Sequence, residues 1–133
     1  MIKRIAWVGL ALISAHAAAD SPASFMARYA QQAGVAVSAL SPARGETLYR
    51  TEHPGKSGTA QSCASCHTGN PKQAGQTRVG KRIEPLAPSA NPQRFTDAAQ
   101  VEKWFRRNCT DVLARECSAQ EKGDFIAWLN QIK

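Results

Sequence analysis

Cys63-Ala64-Ser65-Cys66-His67 is the stretch of this sequence on which the fold depends. Two cysteines separated by two residues and followed at once by histidine form the attachment signature of a c-type haem. The two thiols become thioethers at one edge of the porphyrin, and the adjacent imidazole becomes the proximal ligand of the iron. We therefore predict one haem c, bound covalently through Cys63 and Cys66, with His67 as proximal ligand.

Two other chemistries use a C-x-x-C pair. It can be a redox-active dithiol, or it can supply half of the ligands of a zinc site. A dithiol of the thioredoxin type lies in a βαβ context, and no strand-rich pattern surrounds this motif. A zinc site needs two more ligands close by, and the other two cysteines, Cys109 and Cys117, lie far downstream. Both alternatives stay open, but haem attachment is favoured.

The sequence upstream of the motif begins with a segment that is typical of secretory signal peptides. Residues 1–19 contain two basic residues, then a short apolar run, then several small residues. The apolar run is shorter than the roughly 20 residues of a membrane-spanning helix, although a retained N-terminal anchor is the alternative. Cleavage after Ala17 or Ala19 would leave residues 20–133 as a mono-haem cytochrome c domain. We expect this domain in the periplasm, where disulfides persist.

The charge of the chain is moderately positive. There are 17 Lys and Arg residues against 10 Asp and Glu residues, a formal net charge of +7. Such a charge favours docking to an acidic redox partner. The basic residues are scattered and the protein is predicted to be exported, so nucleic acid is not expected as a partner. We expect a monomer or a weak dimer.

Apolar residues at helical spacing predict four helices around the motif. The first covers residues 21–34, begins at Ser21 or Ser24, and carries Met26 on a stripe that is more typical of a core than of an iron ligand. The second begins with a Ser41 cap followed by proline. The third begins at residue 96 or 97, and the last begins at Ser118 with a capping box.

Residues 68–92 are rich in Gly, Pro, Asn, Lys and Arg, which predicts a long loop with little regular structure. A buried haem would replace the apolar core that such a loop lacks. Lys81 and Arg82 would lie near the haem propionates or face solvent, and solvent is the better interpretation for either one alone.

The third predicted helix carries a stripe that ends in an amide. Val101, Trp104, Phe105 and Asn108 share one helical face. Trp104 and Phe105 are candidates to limit access to the haem, although each fits equally well as a plain core residue. Asn108 is a candidate iron ligand, and the alternative is that it caps the end of the helix or bonds the backbone.

The sixth ligand of the iron decides the function. Electron-carrying class I cytochromes use a methionine downstream of the haem motif, and here the methionines are only Met1 and Met26, both upstream. The remaining candidates are His53, Asn108, a lysine, water or no ligand. Asn108 has the better position, since its helix face is already apolar and directed inward, whereas His53 lies on a Pro- and Gly-containing loop.

Two resemblances sharpen these expectations. Residues 44–49, RGETLY, followed by a loop and the C-x-x-C-H motif, resemble the opening of a class I cytochrome c, a small all-α fold that wraps one haem. Residues 96–109, TDAAQVEKWFRRNC, and 115–124, RECSAQEKGD, resemble the SHP-type (sphaeroides haem protein) cytochromes c. This similarity covers roughly residues 44–129, so the helix before it is an addition to the fold.

The resemblance to SHP-type cytochromes implies an unusual iron site. Asn108 would ligate ferric iron and dissociate on reduction or on binding of small ligands. Cys109 and Cys117 would form a disulfide beside it, which is either a structural staple or a redox-active bridge. The partners would be diatomic gases, a di-haem cytochrome c and a membrane cytochrome b.

We therefore expect an electron carrier that also binds O2, NO or CO. One alternative is a plain electron-transfer cytochrome with a conventional sixth ligand. The other is an enzyme that oxidises NO with bound O2 or uses peroxide. For peroxide chemistry the sequence offers no acid–base group near the motif: His53 is the one histidine left besides His67 after removal of the signal peptide.

Overall fold

The structure is a computed structural model that describes residues 19–133. The predicted signal peptide, residues 1–19, lies outside the described residues except for Ala19. Within residues 19–133, no helix has both the length and the apolar character needed to cross a membrane.

The described part of the chain is predominantly helical, and its regular elements follow one another in a simple order. The α-helices are α1 (Pro22–Ala33), α2 (Pro42–Arg50), α3 (Ala64–His67), α4 (Ala98–Leu113) and α5 (Ala119–Gln131). A short 3-10 turn covers Val37–Ala39. Two strands of two residues each, β1 (Gly75–Gln76) and β2 (Arg82–Ile83), form an antiparallel hairpin inside the long loop. The all-α prediction is confirmed, and this hairpin is the one addition to it in residues 19–133.

The predicted helix starts are confirmed, and local side chains explain them. The hydroxyls of Ser21, Ser41 and Ser118 each accept a hydrogen bond from the backbone three residues later, and the Asp97 carboxylate does the same for α4. At the other end of α1, Gly34 adopts a left-handed conformation with φ 69°, which favours glycine.

Helix α5 packs against both α1 and α2 and forms the centre of the core. The fully buried side chains of this core are Phe25, Tyr29, Tyr49, Ile126 and Leu129. The crossing of α2 and α5 is close because a Cβ at Gly45 would lie 2.1 Å from the Asp124 carbonyl oxygen. The last helix therefore packs across the N-terminal part of the fold.

Helix α4 extends beyond the apolar stripe. It continues for more than a turn beyond Asn108 and ends at Leu113, with Ala114 in a left-handed conformation as its C-cap. The backbone N–H groups of Gly55 and Lys56 and the side-chain amide of Gln61 donate to the last carbonyls of the helix. The alternative in which Asn108 caps the end of this helix is therefore wrong, since Asn108 lies inside it.

Candidate haem site

One cavity of about 1180 Å³ lies between the C-x-x-C-H segment and α4. It is larger than the roughly 300–1,000 Å³ of an ordinary small-molecule pocket. The attachment segment contributes Cys63, Cys66 and His67, and α4 contributes the whole predicted stripe of Val101, Trp104, Phe105 and Asn108. The tertiary structure therefore brings all of the predicted haem-contacting residues to one space.

The attachment wall, which we define as residues 63–68, is built around a single helical turn. The backbone N–H of His67 donates to the Cys63 carbonyl at 3.1 Å, and both thiols are free and half-buried. Thr68 has φ 67° and turns the chain away after His67. The carbonyl of Thr68 then accepts a hydrogen bond of 2.5 Å from the buried Tyr49 hydroxyl, which fixes the end of this wall.

Burial sets the protonation of the side chains in the motif. It raises the pKa of the Cys63 thiol to about 11, so the thiol is protonated at neutral pH. Redox-active C-x-x-C dithiols require a lowered thiol pKa, so this environment argues against the dithiol alternative. Burial, and then the positive charge of Arg94, lower the pKa of His67 to about 4. The imidazole is therefore neutral, which is the form that ligates a metal.

The zinc alternative lacks ligands. Among residues 19–133, no three His, Cys, Asp or Glu side chains lie close enough together to hold a metal ion. Cys109 and Cys117 are joined in a disulfide and so are not available as thiolate ligands.

The opposite wall of the cavity is formed by α4. Asn108 is half-buried, and its side-chain amide makes no hydrogen bond to any other residue in the described part of the chain. Phe105 packs edge-on against Tyr29, with ring centroids 5.9 Å apart, and also against Phe125 at 5.7 Å. Trp104 is 42% exposed at the cavity. The amide of Asn108 is thus free to meet a group bound in the cavity.

The structure places the other candidate ligands less favourably. His53 does not line the cavity, and its backbone exchanges two hydrogen bonds of 2.9 Å with Gln61. The Nε2 atom of His53 is buried and has no hydrogen-bond partner in the described residues. Met26 packs against the apolar core, as its helical stripe predicted. Lys56 and Lys81 line the cavity as exposed residues of its mouth.

The disulfide lies directly beside Asn108. Cys109 on α4 is bonded to Cys117, which precedes α5, with the two Cα atoms 5.6 Å apart. Cys109 is buried, whereas Cys117 is half-buried. The bond therefore ties the segment of α4 that carries Asn108 to the start of α5.

Basic side chains surround the cavity, and the positions of most of them could not be predicted from local sequence patterns. Arg94 is half-buried, donates to the backbone carbonyls of Glu84 and Pro85, and has its pKa lowered by burial. Lys81 and Arg82 line the cavity and are also exposed. A position near the haem propionates is therefore compatible with a position that faces solvent. Lys56, Arg78 and Arg107 complete this set. Positive charge at the rim suits the two carboxylates of a haem.

The residues present fit haem c. Two free thiols and one neutral imidazole converge on a cavity of sufficient volume, and its largely positive rim matches the propionates. The attachment segment is also closely packed from outside, by Gly75 of β1. A Cβ at this position would lie 1.9 Å from the Cys66 carbonyl oxygen, so β1 packs directly on the backbone of the attachment segment.

The chain is similar to known proteins along most of its length. Residues 35–129 match the family model described as a domain of unknown function (DUF1924). The chain is 48% identical over 109 residues to the cytochrome c-type protein SHP of Cereibacter sphaeroides, covering 82% of each protein. It is 41% identical over 134 residues to cytochrome c'' of Methylophilus methylotrophus, covering 96% of this chain and 93% of that protein.

Solved structures agree with these relatives. Oxidised SHP, described as an oxygen-binding cytochrome c, superposes with a TM-score of 0.74 at 44% identity and covers 84% of this chain and 97% of its own. The solution structure of cytochrome c'' from Methylophilus methylotrophus gives a TM-score of 0.71 at 37% identity, covering 84% and 93%. That structure is described in terms of haem-ligand detachment.

Proposed function

Since this chain belongs to the SHP-type cytochromes c and to the DUF1924 family, and accordingly carries covalently attached haem c, we propose that it is an electron carrier with a distal haem site gated by Asn108. In this proposal Cys63 and Cys66 attach the haem, and His67 is the proximal ligand. Asn108 would hold the ferric iron from the opposite wall and would release it on reduction. The site so opened would admit a diatomic ligand such as O2, NO or CO.

One observation carries this proposal: the Asn108 amide faces the same cavity as His67 and has no hydrogen-bond partner in the described part of the chain. A buried amide is normally hydrogen-bonded, and Asn108, which is half-buried at the cavity, has its amide open to whatever occupies that space. An amide held inside a helix and left without a partner is therefore available for a ligand that occupies the cavity.

The chemistry of an amide explains why it would act as a gate. Bound haem c supplies an iron that changes between the ferric and ferrous states. The amide oxygen of Asn108 is a weak and hard donor, so its bond weakens when the metal becomes softer on reduction. The choice of asparagine thus favours a site that opens with a change of one electron.

The surroundings of Asn108 suit a small uncharged ligand. Phe105 and Trp104 line the same wall and make it apolar, while the side-chain NH2 group of Asn108 remains able to donate a hydrogen bond. The description of SHP as oxygen-binding and of cytochrome c'' in terms of ligand detachment support the same assignment for this chain.

We also propose that the protein works in the periplasm with other redox proteins. The Cys109–Cys117 disulfide suits an oxidising compartment. The basic rim of the cavity favours an acidic partner, and a di-haem cytochrome c and a membrane cytochrome b are the partners that we expect.

Replacement of Asn108 by Ala tests the gate. We expect the ferric holoprotein to change from a low-spin to a high-spin optical spectrum, because the distal donor is lost. The ferrous protein should remain high-spin and should bind CO at a rate close to that of the wild type. Asn130→Ala is the matched control, since it removes an exposed asparagine amide from α5, outside the cavity, and should leave both spectra unchanged.

Two results would contradict the proposal. The first is a ferric spectrum of the Asn108→Ala variant that equals that of the wild type. The second is a wild-type ferrous protein that is low-spin and does not react with CO, which would indicate a plain electron carrier with a conventional ligand.

A further inference from the structure

Helix α1 is connected to α4 by a partly buried hydrogen bond. The Tyr29 hydroxyl donates to the Oε1 atom of Glu102 at 2.6 Å, and Tyr29 is fully buried. The Lys122 ammonium of α5 donates to the Oε2 atom of the same carboxylate at 2.8 Å. One side chain of α4 is therefore held simultaneously from α1 and from α5.

This contact continues to the wall of the cavity. Phe105 follows Glu102 on α4 after about one helical turn, lines the cavity, and meets the edge of the Tyr29 ring. The Lys122 ammonium lies 5.4 Å from the centroid of the Tyr29 ring and 5.7 Å from that of Phe105. Asn108 follows after a further turn. Tyr29 thus contacts α4 on the two turns that precede the proposed distal ligand.

The segment before α1 holds the first turn of α4 as well. The Asp20 carboxylate accepts a hydrogen bond from the backbone N–H of Ala98 at 3.1 Å, and its other oxygen pairs with Arg28 at 2.9 Å. The N–H groups of a first helical turn have no partner within the helix, so Asp20 supplies one. Residues 20–33 therefore contact α4 at its beginning and again near its middle.

These contacts exceed what the stability of α1 requires. The core of the fold already holds α1 through Phe25 and through its packing on α5. The buried hydroxyl of Tyr29 needs a partner, but a backbone carbonyl would serve equally well. Here the partner is instead a charged side chain of the helix that carries Asn108, which makes the position of that helix depend on α1.

We propose that α1 is a positioning element of the distal gate: Tyr29, acting through Glu102, orients α4 and so sets the balance between the ligated and the released states of Asn108. This inference rests on the proposed role of Asn108 and adds to it the element that regulates the gate. Tyr29 and Glu102 are positioning residues, because the structure gives them no contact with the cavity.

Tyr29→Phe in the full-chain holoprotein tests the proposal. The variant keeps the buried ring and removes only the hydroxyl, so α4 loses the hydrogen bond but not the aromatic contact. We expect the ratio of high-spin to low-spin ferric protein to rise on the order of threefold or more. The loss of a hydrogen bond to a charged group is large enough in free energy to shift the ratio by that factor. Glu102→Ala is the second variant, which removes the same contact from the α4 side and should shift the ratio in the same direction.

A double-mutant cycle separates positioning from general stability. In the Asn108→Ala background, Tyr29→Phe should produce no further change in the ferric spectrum, since the ligand that it positions is absent. Ser41→Ala is the control for stability. It removes the N-terminal cap of α2, remote from α4, and should lower the melting temperature without changing the spin ratio.

The outcomes distinguish this inference from the proposed function. If Asn108→Ala changes the ferric spectrum while Tyr29→Phe and Glu102→Ala leave the spin ratio as in the wild type, the positioning role is wrong and the gate stands. If Asn108→Ala itself has no effect on the spectrum, both are overturned. A shift by Tyr29→Phe that persists undiminished in the Asn108→Ala background also contradicts the inference.

Discussion

The two walls of the haem cavity are held in different ways. The attachment wall, residues 63–68, is short, and main-chain atoms and one tyrosine hold it. The wall formed by α4 is a helix of 16 residues, and the contacts that fix it come mainly from side chains of other elements. This contrast suits the centre that we propose, with one permanent ligand and one that leaves on reduction, because main-chain packing is rigid whereas side-chain contacts can rearrange.

On the attachment side, β1 lies directly on the motif. A Cβ at Gly75 would meet both the Cys66 carbonyl oxygen at 1.9 Å and the Cα atom of His67 at 2.9 Å. The neighbouring loop is held by two backbone N–H groups, those of Leu86 and Ala87, which donate to the carbonyl of Pro71. Little in this arrangement depends on a side chain that could change its rotamer.

On the distal side, α4 is held by different contacts at several points along its length. Asp20 holds its beginning, Glu102 holds its middle, and the disulfide of Cys109 holds the segment next to Asn108. The loop at residues 55–61 holds the end of the helix, through the backbone N–H groups of Gly55 and Lys56 and the side-chain amide of Gln61. Several contacts, each of modest energy, therefore determine the position of this helix together.

Gly75→Ala should break the attachment wall, and we expect the largest effect from it. The added methyl group would overlap a backbone carbonyl that cannot move aside, so the free energy of unfolding of the holoprotein should fall by about 3 kcal/mol. Denaturant unfolding followed by far-UV circular dichroism measures this fall. Gly69→Ala is the matched control, because nothing lies within 4 Å of its added Cβ. Equal stability of the two variants would show that β1 does not support the motif.

Removal of the disulfide tests how the wall formed by α4 is held beside Asn108. Cys109→Ala with Cys117→Ala should lower the free energy of unfolding by about 2.5 kcal/mol, since the bond closes a short loop. Because Asn108 adjoins Cys109, we also expect a larger high-spin fraction in the ferric protein, measured by its optical spectrum. A loss of stability with an unchanged spectrum would mean that the disulfide is a structural staple alone.

The smallest expected effect concerns pH and Glu102. Burial opposes ionisation of this carboxyl, but hydrogen bonds from Lys122 and Tyr29 outweigh it and lower its pKa below the usual value. A carboxyl with a lowered pKa in the folded state stabilises the protein above its unfolded pKa of about 4.3. That contribution disappears as the pH falls through the lower pKa of the folded state.

Melting temperatures of wild type and Glu102→Gln measure this contribution. The wild type should melt at the higher temperature at pH 7, and the difference should shrink below about pH 4. Glu46→Gln is the control, since Glu46 pairs with Arg50 on the exposed surface of α2, where such pairs contribute little. A difference for Glu102→Gln that stays constant from pH 7 to pH 3 would contradict the assignment.

Much of the fold was predictable because its signals are local. The capping box at Ser118, the cap at Ser41 and the left-handed Gly34 each depend on residues within a few positions of one another. The end of α4 was not predictable in this way. It is decided by donors from the loop at residues 55–61, which lies far away in sequence. The hairpin of β1 and β2 was missed because strands of two residues have no periodicity to detect.

The candidate site likewise contains residues that local sequence patterns predict and residues whose positions depend on the tertiary fold. Asn108 was a candidate because a helical stripe places it on the face of Val101 and Trp104, and the resemblance to SHP-type cytochromes implied the same residue. Arg94 was missed because its position near His67 depends on how the loop folds back. His53 and Asn108 were both candidate ligands by residue type, and only their placement separates them.

The sequence by itself determined the covalent chemistry, because two thiols and an imidazole within five residues bring their own geometry wherever the chain folds. It also determined which residues of α4 share a face, since that follows from the helical repeat. Only the tertiary structure decided what that face meets. Periodicity determines how side chains are arranged around their own helix. The contacts of Tyr29, Gln61 and Cys117 with α4 determine which face of that helix lies along the cavity.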